Sequence, residues 1–251
     1  MSNNIQINKN DLTKNFLSII SKFTDSCAIT LNPDNITSIV KDNNAKSQTI
    51  LYIKYNCKIP ITSPIKLNIG SVKKLNSIIS CINEDVVDLI YDKNSIQYKS
   101  DLIKFKYHLL AEGIMKDSSL LSEEKINSFK FNTTFKLNES DISNIIRTTS
   151  FLPENDRIYF YTDDSSVYTE LGQRDQSNTD NVTLKIGGFS GDKFEEASSI
   201  SIDIIRNLTS FRDSDITVNY NSDRGVYIFN IQTNNTTIKY ITAKYAENTN
   251  V

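Results

Sequence analysis

The chain is poor in the residues that most enzyme chemistry requires. Its 251 residues hold one His, three Cys, two Met and no Trp. A lone His108 leaves little scope for general acid–base catalysis near neutral pH or for a histidine metal centre. In the alternating run 103–110 it reads as an ordinary strand residue. Cys27, Cys57 and Cys81 are odd in number and widely spaced. They suit free thiols in a reducing compartment, and no pair has zinc-ligand spacing. There are 7 Gly and 4 Pro, and neither common phosphate-binding glycine motif occurs. Gly187-Gly188-Phe189-Ser190-Gly191 is the one glycine-rich stretch and reads as a turn after a strand. Asp163-Asp164-Ser165-Ser166 reads as a solvated hairpin turn rather than a cation site. No apolar run approaches the roughly 18 residues of a membrane span. Residues 1–6 lack a basic start followed by an apolar stretch, so no signal peptide is expected. No catalytic residue, metal or cofactor is expected.

What the chain does have is regular alternation. Phe129, Phe131, Thr133, Phe135 and Leu137 point one way, with Lys130, Asn132, Thr134 and Lys136 between them. That is the pattern of a half-buried strand. Similar strand-like runs lie at 26–31, 48–58, 86–91, 95–100, 103–110, 157–161, 166–171, 181–187, 215–220, 226–232 and 236–244. Helical spacing appears in four short segments, 11–23, 71–82, 140–152 and 203–211. Each shows one apolar face, for example Leu12, Phe16, Ile19, Ile20 and Phe23 in the first. Asn10 and Ser140 are candidate N-caps.

These segments repeat. Ile7-Asn8-Lys9-Asn10-Asp11-Leu12 is echoed by Leu137-Asn138-Glu139-Ser140-Asp141-Ile142. Lys73-Lys74-Leu75-Asn76-Ser77-Ile78 is echoed by Arg206-Asn207-Leu208-Thr209-Ser210-Phe211. A spacing of about 130 residues is too long for a solenoid repeat and indicates a duplicated domain. The expected limits are 1–112 for the first copy, 113–127 for a polar connector and 128–251 for the second copy. The outward helix faces carry Lys14, Lys22, Lys73, Lys74, Arg147 and Arg206. Charge is also divided along the chain. Residues 1–125 hold 16 Lys, no Arg and 13 acids, net +3. Residues 126–251 hold 12 basic residues and 17 acids, net −5, which together return the overall −2. A net-acidic protein can still present one basic face to a polyanion, although Lys and Arg on helix exteriors are also ordinary solvated residues.

The first half carries Leu12-Thr13-Lys14-Asn15-Phe16, Leu67-Asn68-Ile69-Gly70 with Leu75-Asn76-Ser77-Ile78-Ile79, Asn83-Glu84-Asp85-Val86-Val87 and Asn94-Ser95-Ile96-Gln97-Tyr98-Lys99-Ser100. The second half carries Phe135-Lys136-Leu137, Asp141-Ile142 and Ile145-Ile146-Arg147. In the order and spacing of these runs the chain resembles the DNA polymerase sliding clamps of T-even-type bacteriophages, relatives of proliferating cell nuclear antigen. The resemblance implies an α+β fold of duplicated clamp domains, with antiparallel sheets outside and two short helices per domain inside. It implies a homotrimeric ring around double-stranded DNA, held by phosphate contacts without sequence preference. The clamp tethers a replicative DNA polymerase, is opened by an ATP-dependent clamp loader, and serves late viral transcription in the cytoplasm of an infected bacterium. It catalyses nothing, needs no cofactor and touches no membrane.

By that resemblance Lys14 and Arg147 are the best-matched DNA-facing positions, with Lys73, Lys74, Arg206 and Lys22 placed by helix geometry. The subunit interface falls on two strands, through Ile103, Phe105, Tyr107 and Leu109 on one and Val182, Leu184 and Ile186 on the other. A partner-peptide pocket is assigned to Leu120, Leu121, Ile126 and Tyr245, residues that equally suit packing the connector down. Polar stretches around 172–180 and 187–196 read as loop extensions of the second copy. The alternative is a non-catalytic structural β-protein of a virion with duplicated domains. It accounts for the strands and free thiols, but not for basic-faced helices recurring in each copy. An enzyme lacks a nucleophile–base pair, although a carboxylate-only metal nuclease stays open on spacing alone.

Overall fold

The computed structural model describes residues 3–42, 49–115, 122–172, 174, 179–211 and 214–245. It divides into two compact units. The first takes Met1–Asn43, Ile50–Ile126 and Asn234–Ile238, and the second takes Asn44–Thr49, Asn127–Thr233 and Lys239–Val251.

The first unit runs β1 (Asn3–Asn8), a π-helical segment (Asp11–Leu17) continuing into α1 (Ser18–Phe23), then β2 (Cys27–Asn32), β3 (Asn35–Lys41), β4 (Ile50–Asn56) and β5 (Ile65–Ile69). It continues with α2 (Val72–Ser80), β6 (Val86–Tyr91), β7 (Ser95–Lys99), β8 (Lys104–His108) and the short α3 (Glu123–Asn127). Its strands form two four-stranded layers, ordered β1-β6-β7-β8 and β4-β3-β2-β5. The second unit runs β9 (Thr133–Leu137), α4 (Glu139–Thr148), β10 (Arg157–Thr162), β11 (Val167–Leu171), β12 (Val182–Gly187), β13 (Phe189–Gly191) and β14 (Ser198–Ser201). It ends with α5 (Ile202–Leu208), a 3-10 turn (Thr209–Phe211), β15 (Ile216–Asn221), β16 (Val226–Gln232) and β17 (Thr236–Ala243). Its orders are β12-β11-β10-β14 and β9-β15-β16-β17, with β13 added outside β9. Apart from β13, the two units repeat one topology strand for strand.

The caps give the register of the repeat. Asn138 is the N-cap of α4. Its side chain accepts from the Asp141 amide while the Asp141 carboxylate accepts from the Asn138 amide, a reciprocal capping box. Asn8 plays the matching part in the first unit, accepting from the Asp11 amide at 3.2 Å. The expected caps Asn10 and Ser140 are therefore displaced by two residues. Asn10 has helical angles and makes no side-chain cap bond, and the Ser140 hydroxyl donates to Asn138 Oδ1. The second helices begin on Ser71, which accepts from the Lys74 amide, and Ser201, which accepts from the Asp203 amide. Asn8 to Asn138 and Ser71 to Ser201 are both 130 positions apart. The sequence echo between Lys73 and Arg206 is thus three residues out of register, and the counterpart of Lys73 is Asp203.

The first helix departs from α geometry. The Ser18 amide donates to the Thr13 carbonyl, five residues back, and the Thr13 hydroxyl occupies the Lys9 carbonyl at 2.7 Å. A side chain taking the acceptor that an α turn would use favours the wider turn. Leu12, Thr13, Phe16 and Leu17 are consequently all buried. With α2 they cover an aliphatic core that keeps an entirely apolar cavity of about 40 Å³, lined by Leu12, Leu75 and Ile79 among others. A void with no polar partner stays dry.

Three sequence readings are corrected. Phe129 and Phe131 precede β9 rather than belonging to it, and the Arg224 guanidinium lies over the Phe129 ring at 5.7 Å. Gly187–Gly191 is not a turn, because its last three residues form β13, which pairs with β9. Residues 123–127 of the expected connector are helical, with Ile126 1% exposed.

Candidate nucleic-acid interface and sheet edges

In the first unit α1, the π-segment and α2 pack side by side. Lys14, Lys22, Lys73 and Lys74 are all exposed on this layer. Asn15, Ser77 and Ser80 are exposed among them. Lys9 is basic and nearby but has another task. Its ammonium donates to the carbonyls of Ile82 and Asn83 at 2.8 and 3.4 Å, just beyond α2, where a cation complements the helix dipole.

In the second unit α4 packs on α5. Arg147 is exposed in the last turn of α4, where its charge also suits the helix end. Arg206 is exposed but donates to Asp203 at 2.8 Å, one turn earlier. The basic faces are therefore unequal. Four lysines mark the first unit, while the second offers Arg147 and an arginine whose charge is partly balanced. The register explains the difference, since α5 carries Asp203 where α2 carries Lys73. Phe151 escaped the sequence reading, which placed it inside a helix. It lies in the turn beyond α4 and is 72% exposed.

The two strands expected to form subunit contacts are β8 and β12, and each is the terminal strand of its four-stranded layer. On β8, Phe105 is half-buried, as are the flanking Ile103 and Leu109, while Lys104, Lys106 and His108 are exposed. Tyr107 is committed within its own chain. It is 5% exposed, its hydroxyl donates to the Ser71 carbonyl at 3.0 Å and accepts from the Ser71 amide at 2.7 Å. Burial raises its phenol above the ordinary range. Its backbone remains on the edge, but its side chain fixes β8 to the start of α2. On β12, Val182, Leu184 and Ile186 alternate half-buried with exposed Thr183 and Lys185. Leu102, at the β7–β8 turn beside this edge, is 83% exposed and was not marked in the sequence.

Two of the four residues assigned to a peptide pocket, Ile126 and Tyr245, are described. Leu120 and Leu121 lie outside the described residues. Ile126 is buried in the first unit, and Tyr245 belongs to the second. Tyr245 is held by the Arg157 guanidinium 4.6 Å over its ring, by its hydroxyl bond to Asp156 at 2.9 Å, and by its amide bond to Ser199. Among the described residues no three His, Cys, Asp or Glu side chains cluster as a metal site. No helix among them is long and apolar enough to cross a membrane.

No protein-family model matches the chain, and no curated protein matches it by sequence. Solved structures do match it. The structure of the C-terminal region of FEN-1 bound to A. fulgidus PCNA aligns at TM-score 0.76 and 14% identity, covering 98% of this chain and 99% of that one. The proliferating cellular nuclear antigen of Entamoeba histolytica aligns at TM-score 0.72 and 14% identity, covering 97% and 99%. PCNA from Thermococcus kodakaraensis aligns at TM-score 0.72 and 10% identity, covering 96% and 99%. The fold is the sliding-clamp fold of PCNA. Its α+β class, duplicated topology and helix pairs follow from the strand orders and caps described above, and at 10–14% identity the likeness speaks for architecture.

Proposed function

We propose that this protein is a DNA sliding clamp that encircles double-stranded DNA as a homotrimer and tethers a replicative DNA polymerase. The observation that carries the reading is the helix layer of a PCNA-like fold bearing Lys14, Lys22, Lys73, Lys74, Arg147 and Arg206 exposed on a chain of net charge −2. Phosphate contacts of this diffuse kind bind without sequence preference and permit sliding. Processivity then comes from topology rather than from a reaction, and the clamp itself acts as no enzyme.

Closure of the ring is assigned to β8 of one copy meeting β12 of the next. Unpaired edges of this kind are templates for strand addition. Such a head-to-tail contact closes into a ring when the rotation allows. A clamp loader driven by ATP would open it, and short partner segments would dock as FEN-1 does on the A. fulgidus protein. A T-even-type phage origin, action in the infected-cell cytoplasm and a part in late transcription rest on the sequence resemblance.

Sedimentation equilibrium tests the reading. A trimer at micromolar concentration, or a monomer–trimer equilibrium that moves toward trimer on concentration, is expected. A stable monomer throughout that range, or a tetramer, overturns it.

A further inference from the structure

The duplication places a short helix on one sheet face of the first unit, and among the described residues no helix sits on its counterpart in the second. In the first unit the cross-strand row Thr30, Thr37 and Lys54 lies on the face turned away from the helices. The short α3 is seated there. Lys54 meets the Glu123 carboxylate at 3.1 Å. Tyr52 is two residues from Lys54 on the same face, and burial, with the Glu123 carboxylate nearby, raises its phenol far above the ordinary range. Ile126, three residues after Glu123, is 1% exposed. A short acidic helix is thus tied to this face by Glu123, with Ile126 buried one turn on.

The equivalent row in the second unit is Tyr161, Tyr168 and Lys185. The inward-facing neighbours set this alignment. Leu31 and Ile36 correspond to Thr162 and Val167, and Ser38 and Ile53 to Thr169 and Leu184. Lys185 therefore stands where Lys54 stands and is exposed, with Asp163 the carboxylate whose charge it helps to hold. The neighbouring Asp163 carboxylate is already engaged by the amides of Ser165 and Ser166 and by the Tyr168 hydroxyl. Tyr161 and Tyr168 stack at 5.4 Å and 15° and are half-exposed. The Arg174 guanidinium lies 4.8 Å over Tyr161 and is braced by Glu170 at 2.6 Å. The face thus offers a stacked tyrosine pair, one ring of it under Arg174, beside the exposed Lys185 ammonium, which is an apolar body next to a charge.

We propose that this face docks a short acidic helix of a partner protein. The partner offers a Glu to Lys185 and, three residues on, an aliphatic side chain to the Tyr161–Tyr168 pair. It reproduces in trans what Glu123 and Ile126 do in cis. The proposal stands on the duplication and does not depend on the DNA reading.

The test uses the full chain, isotopically labelled, and a capped peptide Ser-Glu-Glu-Lys-Ile-Asn-Ser, which is the chain's own 122–128 sequence. NMR titration is expected to give saturable shifts at Tyr161, Tyr168 and Lys185, with weak affinity suited to one ion pair and one apolar contact. Lys185→Glu should weaken binding by about fivefold or more, on the scale of one partly exposed charge pair. A peptide whose first Glu is replaced by Lys should recover binding to that variant. Lys185 lies on β12, the strand assigned to ring closure, so the variant should sediment as wild type does, which separates loss of docking from loss of assembly. Three outcomes overturn the proposal. They are no saturable shift at these residues up to about 10 mM peptide, binding indifferent to Lys185→Glu, and shifts confined to Tyr52 and Ile126, which would mean displacement of α3.

Discussion

Asp141 and Asp92 are both N-terminal or turn carboxylates that accept backbone amides, yet the structure treats them oppositely. Asp141 sits 9% exposed in the α4 capping box, and burial raises its carboxyl above the ordinary range. Asp92 is exposed in the β6–β7 turn, where the Asn94 amide and then Ser95 hold it below that range, and Asp163 is held down likewise by the Ser165 amide and Tyr168. The sign follows from linkage. A carboxylate lowered in the folded state contributes stability that is present above its unfolded pKa and is lost as pH falls through the folded value. A raised one, such as Asp141, contributes less as pH rises through the carboxylate range. Carbon-detected NMR titration should find Asp92 and Asp163 titrating below ordinary carboxylates and Asp141 above them. The thermal advantage of wild type over Asp92→Ala should shrink on acidification. Removing the cap itself with Asn138→Ala should cost about 1 kcal/mol, roughly 2–4 °C in Tm for a chain of this size, measurable by calorimetry. The cap chemistry was visible as Asn followed by Asp three residues later in both copies. Reading the cap at the residue nearest the apolar run moved it two positions too far, because a short Asp at the third helical position serves where a longer Glu is usual.

At the scale of elements, alternation located the strands that have one buried face, with β6 and β16 matched at both ends. It failed where both faces are covered or the element is brief. Ser198–Ser201 is buried at every position, so β14 has no period to read. The π-segment was taken for ordinary helix because the i, i+4 spacing of Leu12, Phe16 and Ile20 is common to both forms. The strand β13 was hidden by its glycines, and Gly191 shows why one must be there. Its φ is +91°, and a Cβ at that position would run into the carbonyl of Asn132. That carbonyl already accepts the Asp192 amide at 2.8 Å, and the Thr133 hydroxyl donates to the Asp192 carbonyl at 2.7 Å. Gly191→Ala therefore combines a left-handed backbone penalty with a backbone clash. It should cost at least about 2 kcal/mol, read as a lowered denaturation midpoint with loss of amide protection at Thr133 and Phe135. Gly187→Ala, where nothing lies within 4 Å of the added carbon and φ is not positive, is the control and should be close to neutral.

For the whole molecule, net charge was the most misleading number, because it averages over surfaces that the fold separates. The halves differ by +3 against −5, and the helix layer differs again, with four exposed lysines in one unit and Arg147 plus a paired Arg206 in the other. Neither the pairing of Arg206 with Asp203 nor the three-residue slip in the echo could be read without the caps. The architecture was legible from the repeat of strand order and caps. The asymmetry makes a graded prediction for DNA. In the proposed clamp, Lys14→Glu with Arg147→Glu places like charge toward phosphate in both units and should reduce loading or sliding on DNA, read as shorter products in a polymerase processivity assay. Assembly should be unchanged by sedimentation, because neither residue lies on β8 or β12. Arg206→Glu alone should act more weakly than Arg147→Glu alone, because part of its charge is already met by Asp203. The deficit should narrow as salt rises, since screening weakens the phosphate contacts of wild type and variant together. Unchanged processivity in the double variant at low salt would remove the helix layer from the DNA path.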